Sequence, residues 1–317
     1  MISVIIPIYN AAPFISQCLD SLISQTYKQW EAILIDDGSK DASATICTEY
    51  TQKDSRFKLT LKKNEGVSQT RNRALKFCTG KYLFFLDADD YLQDPNCFST
   101  MVQAIELDGV DFVRCEYQAV DIHSQHLFNN RNKQLRKKYY NKKITASQYC
   151  TKVAMKEFYL CTNLIRNDIV QKEHIHFIEG CRMQEDAAFL LRYLTYSNMT
   201  IYIPQEFYAY RKHIEAATVR KPITYYAKDL AMVYDEVYKL YLQCSNKQMS
   251  KYLSYFLSDL IVSIRGTKFY HQRITSCKQL KNKSIRFYSI YLGFFATLYL
   301  KSFYYINKIK QIIISLK

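Results

Sequence analysis

The stretch Tyr82-Leu83-Phe84-Phe85-Leu86-Asp87-Ala88-Asp89-Asp90 decides the fold. Its five apolar residues read as a strand covered on both faces, the kind found in parallel sheets. The run then ends in a cluster of carboxylates. In an open parallel sheet the ligand crevice lies beyond the carboxyl ends of the strands, which puts Asp87 and Asp89 at its rim. Two carboxylates one residue apart offer hard oxygen ligands to a divalent cation. A cation beside a nucleotide crevice points to an enzyme that handles a diphosphate.

Working back toward the amino terminus, the same unit repeats. Ser3 to Ile8 is an apolar strand, and Ala11 to Gln25 has helical spacing through Phe14, Ile15, Cys18, Leu19, Leu22 and Ile23, with Pro13 near the first turn. Ala32 to Ile35 is a second strand, ended by Asp36-Asp37-Gly38-Ser39, and Asp41 is placed to cap the helix through Ala44, Ile46, Cys47 and Tyr50. Phe57 to Leu61 is a third strand, and Val67 to Phe77 is a helix closed by Gly80. This alternation predicts an α/β fold with a doubly wound, mostly parallel sheet.

Forward of the motif the pattern is mixed. A helix is expected near Phe98 to Leu107, a strand over Asp111 to Val120, and a solvated basic loop over His123 to Lys143, with Arg131, Lys133, Arg136, Lys137 and Lys138. Gln184 to Tyr196 reads as a helix, and Ile201 to Tyr210 as strand material broken by Pro204. Beyond residue 220 the spacing is helical, over Tyr225 to Leu242 and Tyr252 to Phe269. Phe287 to Leu300 carries no charge and is followed by Lys301, Lys308, Lys310 and Lys317 among aromatic and aliphatic residues. That run is shorter than the roughly 20 residues a bilayer requires. It reads as an interfacial helix over 284–317 lying on a membrane surface, the alternative being a buried or homo-oligomer helix.

Composition narrows the partners. Of 317 residues, 44 are Lys or Arg and 29 Asp or Glu, a formal net charge of +15 that favours anions: nucleic acid, a phosphorylated small molecule or an acidic membrane. The basic residues are dispersed and no nucleic-acid-binding motif is present, so no nucleic-acid partner is expected. Ten cysteines are scattered singly, without zinc-site spacing, as in a cytoplasmic protein with reduced thiols. Met1-Ile2-Ser3-Val4-Ile5-Ile6-Pro7 lacks the features of a signal peptide and reads as the first strand.

Five segments together carry a specific resemblance: Ser3 to Asn10, Leu34 to Ser39, Asn64 to Ser68 with Arg71-Asn72, Phe85 to Asp90, and Glu185 to Phe189. In order and spacing they resemble family 2 of the inverting nucleotide-sugar glycosyltransferases, over roughly residues 1 to 215. The resemblance implies a glycosyltransferase A-type fold, a Mn2+ or Mg2+ ion, and transfer of a hexose or N-acetylhexosamine from a nucleotide-sugar, UDP-linked, to a hydroxyl. Asp37 would then contact the base, with Pro7 and Tyr9 lining the same pocket. Asn64, Arg71 and Asp87 complete the nucleotide-binding set, and Asp89 would be the metal ligand. His213, in a segment similar to the one that closes over the diphosphate, would approach the metal or a phosphate, although Ala216-Ala217-Thr218 departs from the family's hydroxyl-rich pattern.

The residues support the same chemistry when taken alone. The helix opening after Gly66 offers N–H groups, and Arg71 a guanidinium, to an anionic donor. Attack by a hydroxyl with inversion needs one carboxylate as general base, and Glu185-Asp186 supplies a pair; the resemblance implies Asp186. The structural alternative is that both acids merely complement a helix N-terminus. Residues 1–100 are thus expected to bind the nucleotide-sugar and 101–220 to supply the acceptor site and base of the same domain. Residues 221–317 form a helical extension. The expected setting is the inner face of the cell membrane, with a saccharide or polyprenyl-phosphate-linked acceptor in surface polysaccharide synthesis. A nucleotidyltransferase would want a glycine-rich phosphate loop after the first strand, where Tyr9-Asn10-Ala11-Ala12 stands instead. A non-catalytic binding relative would be expected to lack Asp89 or Asp186, and both are present.

Overall fold

The computed structural model describes residues 1–130, 132–155, 157–213, 223–265 and 267–278. The chain divides into two compact units, Met1–Lys221 and Pro222–Lys317. The first opens with β1 (Ile2–Ile8), α1 (Ile15–Ile23), β2 (Trp30–Asp36), α2 (Ser43–Lys53), β3 (Phe57–Leu61), α3 (Val67–Leu75) and β4 (Tyr82–Phe85). It continues with β5 (Tyr91–Leu92), α4 (Cys97–Leu107), β6 (Phe112–Val120), β7 (His126–Asn129), α5 (Lys133–Arg136), β8 (Lys143–Thr145) and α6 (Ala146–Tyr149). It closes with β9 (Asn163–Arg166), α7 (Asn167–Lys172), α8 (Glu185–Tyr196) and β10 (Met199–Arg211).

Ten strands form one sheet, in the order β3-β2-β1-β4-β9-β6-β10-β5, with β7 beside β6 and β8 beside β10. β3, β2, β1 and β4 run parallel, as a βαβ series must. Every residue of β2 and of β4 is buried, and so is every residue of β1 except Pro7, which fits a sheet covered on both sides. β9 reverses direction and pairs antiparallel with both β4 and β6. It is therefore the seam between the parallel amino-terminal half and a second half in which β6 and β10 are again parallel.

Close packing explains Gly80, between α3 and β4. A Cβ there would stand 2.5 Å from the Ser3 backbone nitrogen, so only glycine lets that loop lie against β1. At the same junction the buried Glu31 carboxylate accepts from Ser3 Oγ (2.6 Å), from Lys58 Nζ (2.5 Å) and from the backbone N–H of Thr79 (2.8 Å).

Three expectations are corrected. The basic segment 123–143 is not a loop, although Lys137, Lys138 and Lys142 are exposed as expected. It contains β7, α5 and β8, and Arg136 is fully buried, where it donates to Glu116, Glu157 and the Val153 carbonyl. Pro204 does not break its strand, because β10 runs through it and absorbs the missing N–H in register shifts between Tyr202 and Tyr208. Asp41 does not occupy the N-cap of α2, which is Ala42; its carboxylate is shared between the Ser43 N–H (3.0 Å) and the Ala12 N–H (2.9 Å).

The second unit contains α9 (Ala227–Gln243), α10 (Lys247–Ser263) and α11 (Lys268–Lys278). Asn246 caps α10 by accepting from the Gln248 and Met249 N–H groups at 3.0 Å. Arg273 of α11 pairs with Asp235 of α9. No helix among the described residues is long and apolar enough to cross a membrane. The expected interfacial helix over 284–317 lies outside the described residues. No disulfide links the described cysteines.

Candidate active site

The carboxyl ends of the four parallel strands bring the predicted nucleotide residues together. Register pairs Ile8 with Asp36 and Asp36 with Leu61, so Tyr9, Asp37 and Lys62 follow side by side. Pro7 lies one residue before the end of β1, Tyr9 is half exposed, and Asn64 is exposed on the loop after β3. Asp37 is buried and already bonded. Its carboxylate accepts from the N–H groups of Glu65 and Gly66, both at 2.8 Å, and from the buried Lys62 ammonium. Gly38 makes that turn feasible, with φ of +76° and the Asn64 nitrogen only 2.9 Å from where a Cβ would be. Asp36, its neighbour, accepts from Gly38 and Ser39 N–H and so shapes the loop from within.

The three acids after β4 have different environments. Asp90 is buried, accepting from the Tyr208 hydroxyl and the Arg211 N–H, each at 2.6 Å. It anchors the turn to β10. Burial, together with the charges of Asp89 and Asp87, raises its affinity for a proton far above that of an ordinary carboxyl. Asp89 is one-third exposed, and its Oδ2 lies 2.9 Å from His213 Nε2. Burial and the nearby Asp87 raise the pKa of Asp89, while the bond to His213 opposes them. Asp87 faces the other way, toward Arg71.

Arg71 is the centre of the arrangement. Although expected to face the donor phosphates, its buried guanidinium reaches Asp87 at 3.0 Å, Asp186 at 2.7 Å and Glu185 at 3.2 Å. It lies 5.4 Å from the Phe177 ring, which stacks on Phe189 at 4.3 Å. Asn72, one residue on, exchanges two hydrogen bonds with the Phe177 backbone, at 2.9 and 2.7 Å, and so ties α3 to the loop ahead of α8. Asp186 sits in the first turn of α8, where the helix favours a negative charge. Burial nevertheless pushes its pKa up to about 7; Arg71 pulls against this, and Glu185 and Asp87 add to it. Its side chain keeps 30% of its surface open. The result is an accessible carboxyl that changes protonation near neutrality.

Arg211, two residues before His213, has a buried side chain. It donates to the carbonyls of Asp89 (2.8 Å) and Ile122 (3.1 Å) and to Gln17 Oε1 (2.5 Å), between the rings of Phe14 and Tyr91. This side chain and Tyr208 were the parts least visible in sequence, since their partners lie some 120 residues back. The neighbouring Asp90 gave the one available signal, a third acid with no role in the D-x-D spacing.

The family profile described as glycosyl transferase family 2 matches residues 3–189, more than half of the chain. The chain belongs to that family. This family 2 glycosyltransferase is 29% identical over 231 residues to the uncharacterized glycosyltransferase EpsJ of Bacillus subtilis, covering 69% of this chain and 63% of EpsJ. It is 31% identical over 214 residues to the glycosyltransferase GlyA of Streptococcus pneumoniae, covering 66% of this chain but 30% of GlyA. It thus spans less than two thirds of either relative. Among solved structures, S. aureus TarS 1-349 in complex with UDP-GlcNAc superposes with a TM-score of 0.69 at 17% identity, covering 90% of this chain and 82% of that one. The mannosyltransferase PcManGT of Pyrobaculum calidifontis, in complex with GDP-Man and Mn2+, gives 0.55 at 14% identity, covering 94% and 80%. At those identities the likeness establishes the fold, the expected glycosyltransferase A-type sheet with helices carboxyl-terminal to it.

The chemistry of the donor set suits a divalent cation. Asp89 and His213 present an oxygen and a nitrogen 2.9 Å apart, beside the carboxylate of Asp87 two residues back. Among the described residues no group of three or more His, Cys, Asp or Glu converges into a complete ligand set. Asp89 and His213 are the residues that would hold such an ion.

Proposed function

We propose that this glycosyltransferase moves a sugar from a UDP-linked donor to a saccharide or lipid-linked hydroxyl, with inversion at the anomeric carbon. One observation carries the reading. Through Arg71, the carboxylate at the end of β4 and a carboxylate with a pKa near 7 on α8 sit within one guanidinium's reach of each other. A donor lying along the strand ends, over Pro7, Tyr9, Asp37 and Asn64, would present its sugar between them.

Asp186 in its deprotonated form takes the proton from the acceptor hydroxyl as that oxygen forms its bond to the anomeric carbon. The bond to the diphosphate breaks on the opposite face, and the electron pair leaves with the phosphate oxygen. Arg71 orients Asp186 and, with the remaining guanidinium face against Phe177, keeps it aimed at one place. Glu185 shares the same cation and is the next candidate for the base. Asp89 and His213 would hold the divalent cation, which when bound offsets the charge that develops on the leaving diphosphate. A carboxylate with a pKa near the working pH suits a base that must be both mostly ionised and thermodynamically able to take a proton.

Calorimetry of UDP with and without manganese tests the donor site. UDP should bind more tightly with the metal, and either EDTA or Asp89→Ala should remove that gain. Equal affinity in all three conditions would remove Asp89 from metal binding. A thermal-shift screen of nucleotide-sugars would then name the donor, because a ligand bound only by the native state raises its stability.

A further inference from the structure

We infer that Tyr117, Tyr159 and Tyr210 form an aromatic platform that binds a pyranose ring of the acceptor. The inference rests on the glycosyltransferase reading and assigns its acceptor side. The Tyr117 ring meets Tyr159 edge-on at 5.3 Å and Tyr210 edge-on at 6.1 Å. Tyr117 and Tyr210 lie on the adjacent parallel strands β6 and β10, with Tyr208 paired to Tyr117 in register. Residues two apart on a strand share a face, so Tyr210 lies on the same face as Tyr208. Tyr208 in turn bonds to Asp90 and to the Asp87 backbone N–H. Tyr117 and Tyr210 thus share a face with Tyr208, whose hydroxyl reaches the acidic turn after β4.

Its third member adjoins, in sequence, residues that act on the base or feel its charge. Tyr159 immediately precedes Leu160, whose backbone helps to lower the pKa of Asp186. The next residue, Cys161, feels the charges of Asp87, Asp90 and Asp186. Tyr159 is held in place from behind by buried polar groups. Arg114 donates to the Glu157 carbonyl at 2.9 Å and lies 5.9 Å from the Tyr159 ring, and Asn163 donates to the Tyr159 carbonyl at 2.5 Å. Even so Tyr159 is 39% exposed, and Tyr117 and Tyr210 are only partly buried.

Three tyrosines so arranged combine apolar ring faces with hydroxyl rims. A pyranose presents the matching pattern, C–H groups on its faces and hydroxyls on its edge. A nucleotide base also stacks on aromatic rings, but the nucleotide end of the site lies at β1 to β3, on the other side of β4. A saccharide is therefore the occupant the placement favours.

The test uses the full chain and saturation-transfer NMR with methyl β-glucoside, methyl β-galactoside, methyl β-N-acetylglucosaminide and methyl α-mannoside, in the presence of UDP and manganese. At least one glycoside should receive saturation through its ring C–H protons. The transfer should fall about fivefold or more in Tyr159→Ala and persist in Tyr159→Phe, which keeps the ring face. Absence of transfer to every glycoside would overturn the platform, as would transfer that Tyr159→Ala leaves unchanged. UDP binding measured on the same samples separates the two readings. If UDP binds and no glycoside does, the platform falls alone; if UDP fails to bind, the donor reading falls with it. Circular dichroism and UDP affinity of Tyr159→Ala equal to the parent's would show that a lost signal is not lost folding.

Discussion

A single guanidinium, that of Arg71, holds three carboxylates, and the balance among them fixes what Asp186 can do. Burial raises the pKa of that carboxyl, the Arg71 cation pulls against it, Glu185 and Asp87 add to the rise, and the balance leaves it at about 7. Asp186→Asn keeps the shape and removes the proton acceptor. UDP affinity should change little while turnover drops on the order of a hundredfold to ten-thousandfold. Turnover kept within a few-fold of the parent would move the base to Glu185. The pH dependence has a definite sign. A base must be ionised to act, so kcat/KM should climb with pH until about 7 and level off above it. A profile flat from pH 5 to 9 would exclude Asp186 as the titrating group.

At the scale of elements, buried ion pairs do the aligning. Arg136 of α5 is completely enclosed with Glu116 of β6 and also bonds the half-buried Glu157, and removing the cation alone would leave Glu116 an acid in the interior without its ion pair. Arg136→Met should cost on the order of 3–5 kcal/mol in urea unfolding; a loss under about 1 kcal/mol would mean the acids find other partners. Glu31 of β2 gives an acid limit. Burial works against its ionisation, but the bonds from Lys58, Ser3 and Thr79 outweigh it and hold its pKa at about 2, below the usual 4.5. A depressed carboxyl stabilises fully above the usual value and loses that contribution as the pH falls toward 2. Glu31→Gln should flatten the acid limb of the stability profile over that interval, and an unaltered limb would show that other carboxyls set it.

For the whole molecule, the amino-terminal half was readable because its information is local. Each strand of that half is a short apolar run, and each helix has its own spacing, so Asp37, Asp87 and Asp89 could be placed at strand ends before any coordinates. Asp186 could be named through the resemblance, though not its pairing with Arg71, which joins residues 115 positions apart. In the segment 123–143 Lys137 and Lys138 are exposed as their pattern suggests, but Arg136 between them and Leu135 turns inward to Glu116 and Glu157, partners that lie 20 and 21 residues away. The carboxyl-terminal prediction concerns 284–317: truncation after about Gln279 should release the protein from anionic liposomes at physiological salt without altering UDP binding. Co-sedimentation that survives truncation would make the segment a packing helix.

The bonds that Tyr208 and Arg211 send back to Asp90 and to the Asp89 carbonyl also have a consequence for biogenesis. On a ribosome adding 5–20 residues per second, the chain between Asp90 and Arg211 takes on the order of ten seconds to make. The nucleotide crevice can assemble during that interval, but the acidic turn stays unfastened until β10 emerges. A nascent chain arrested before residue 199 should therefore have a cradle for UDP and no means of spending the sugar.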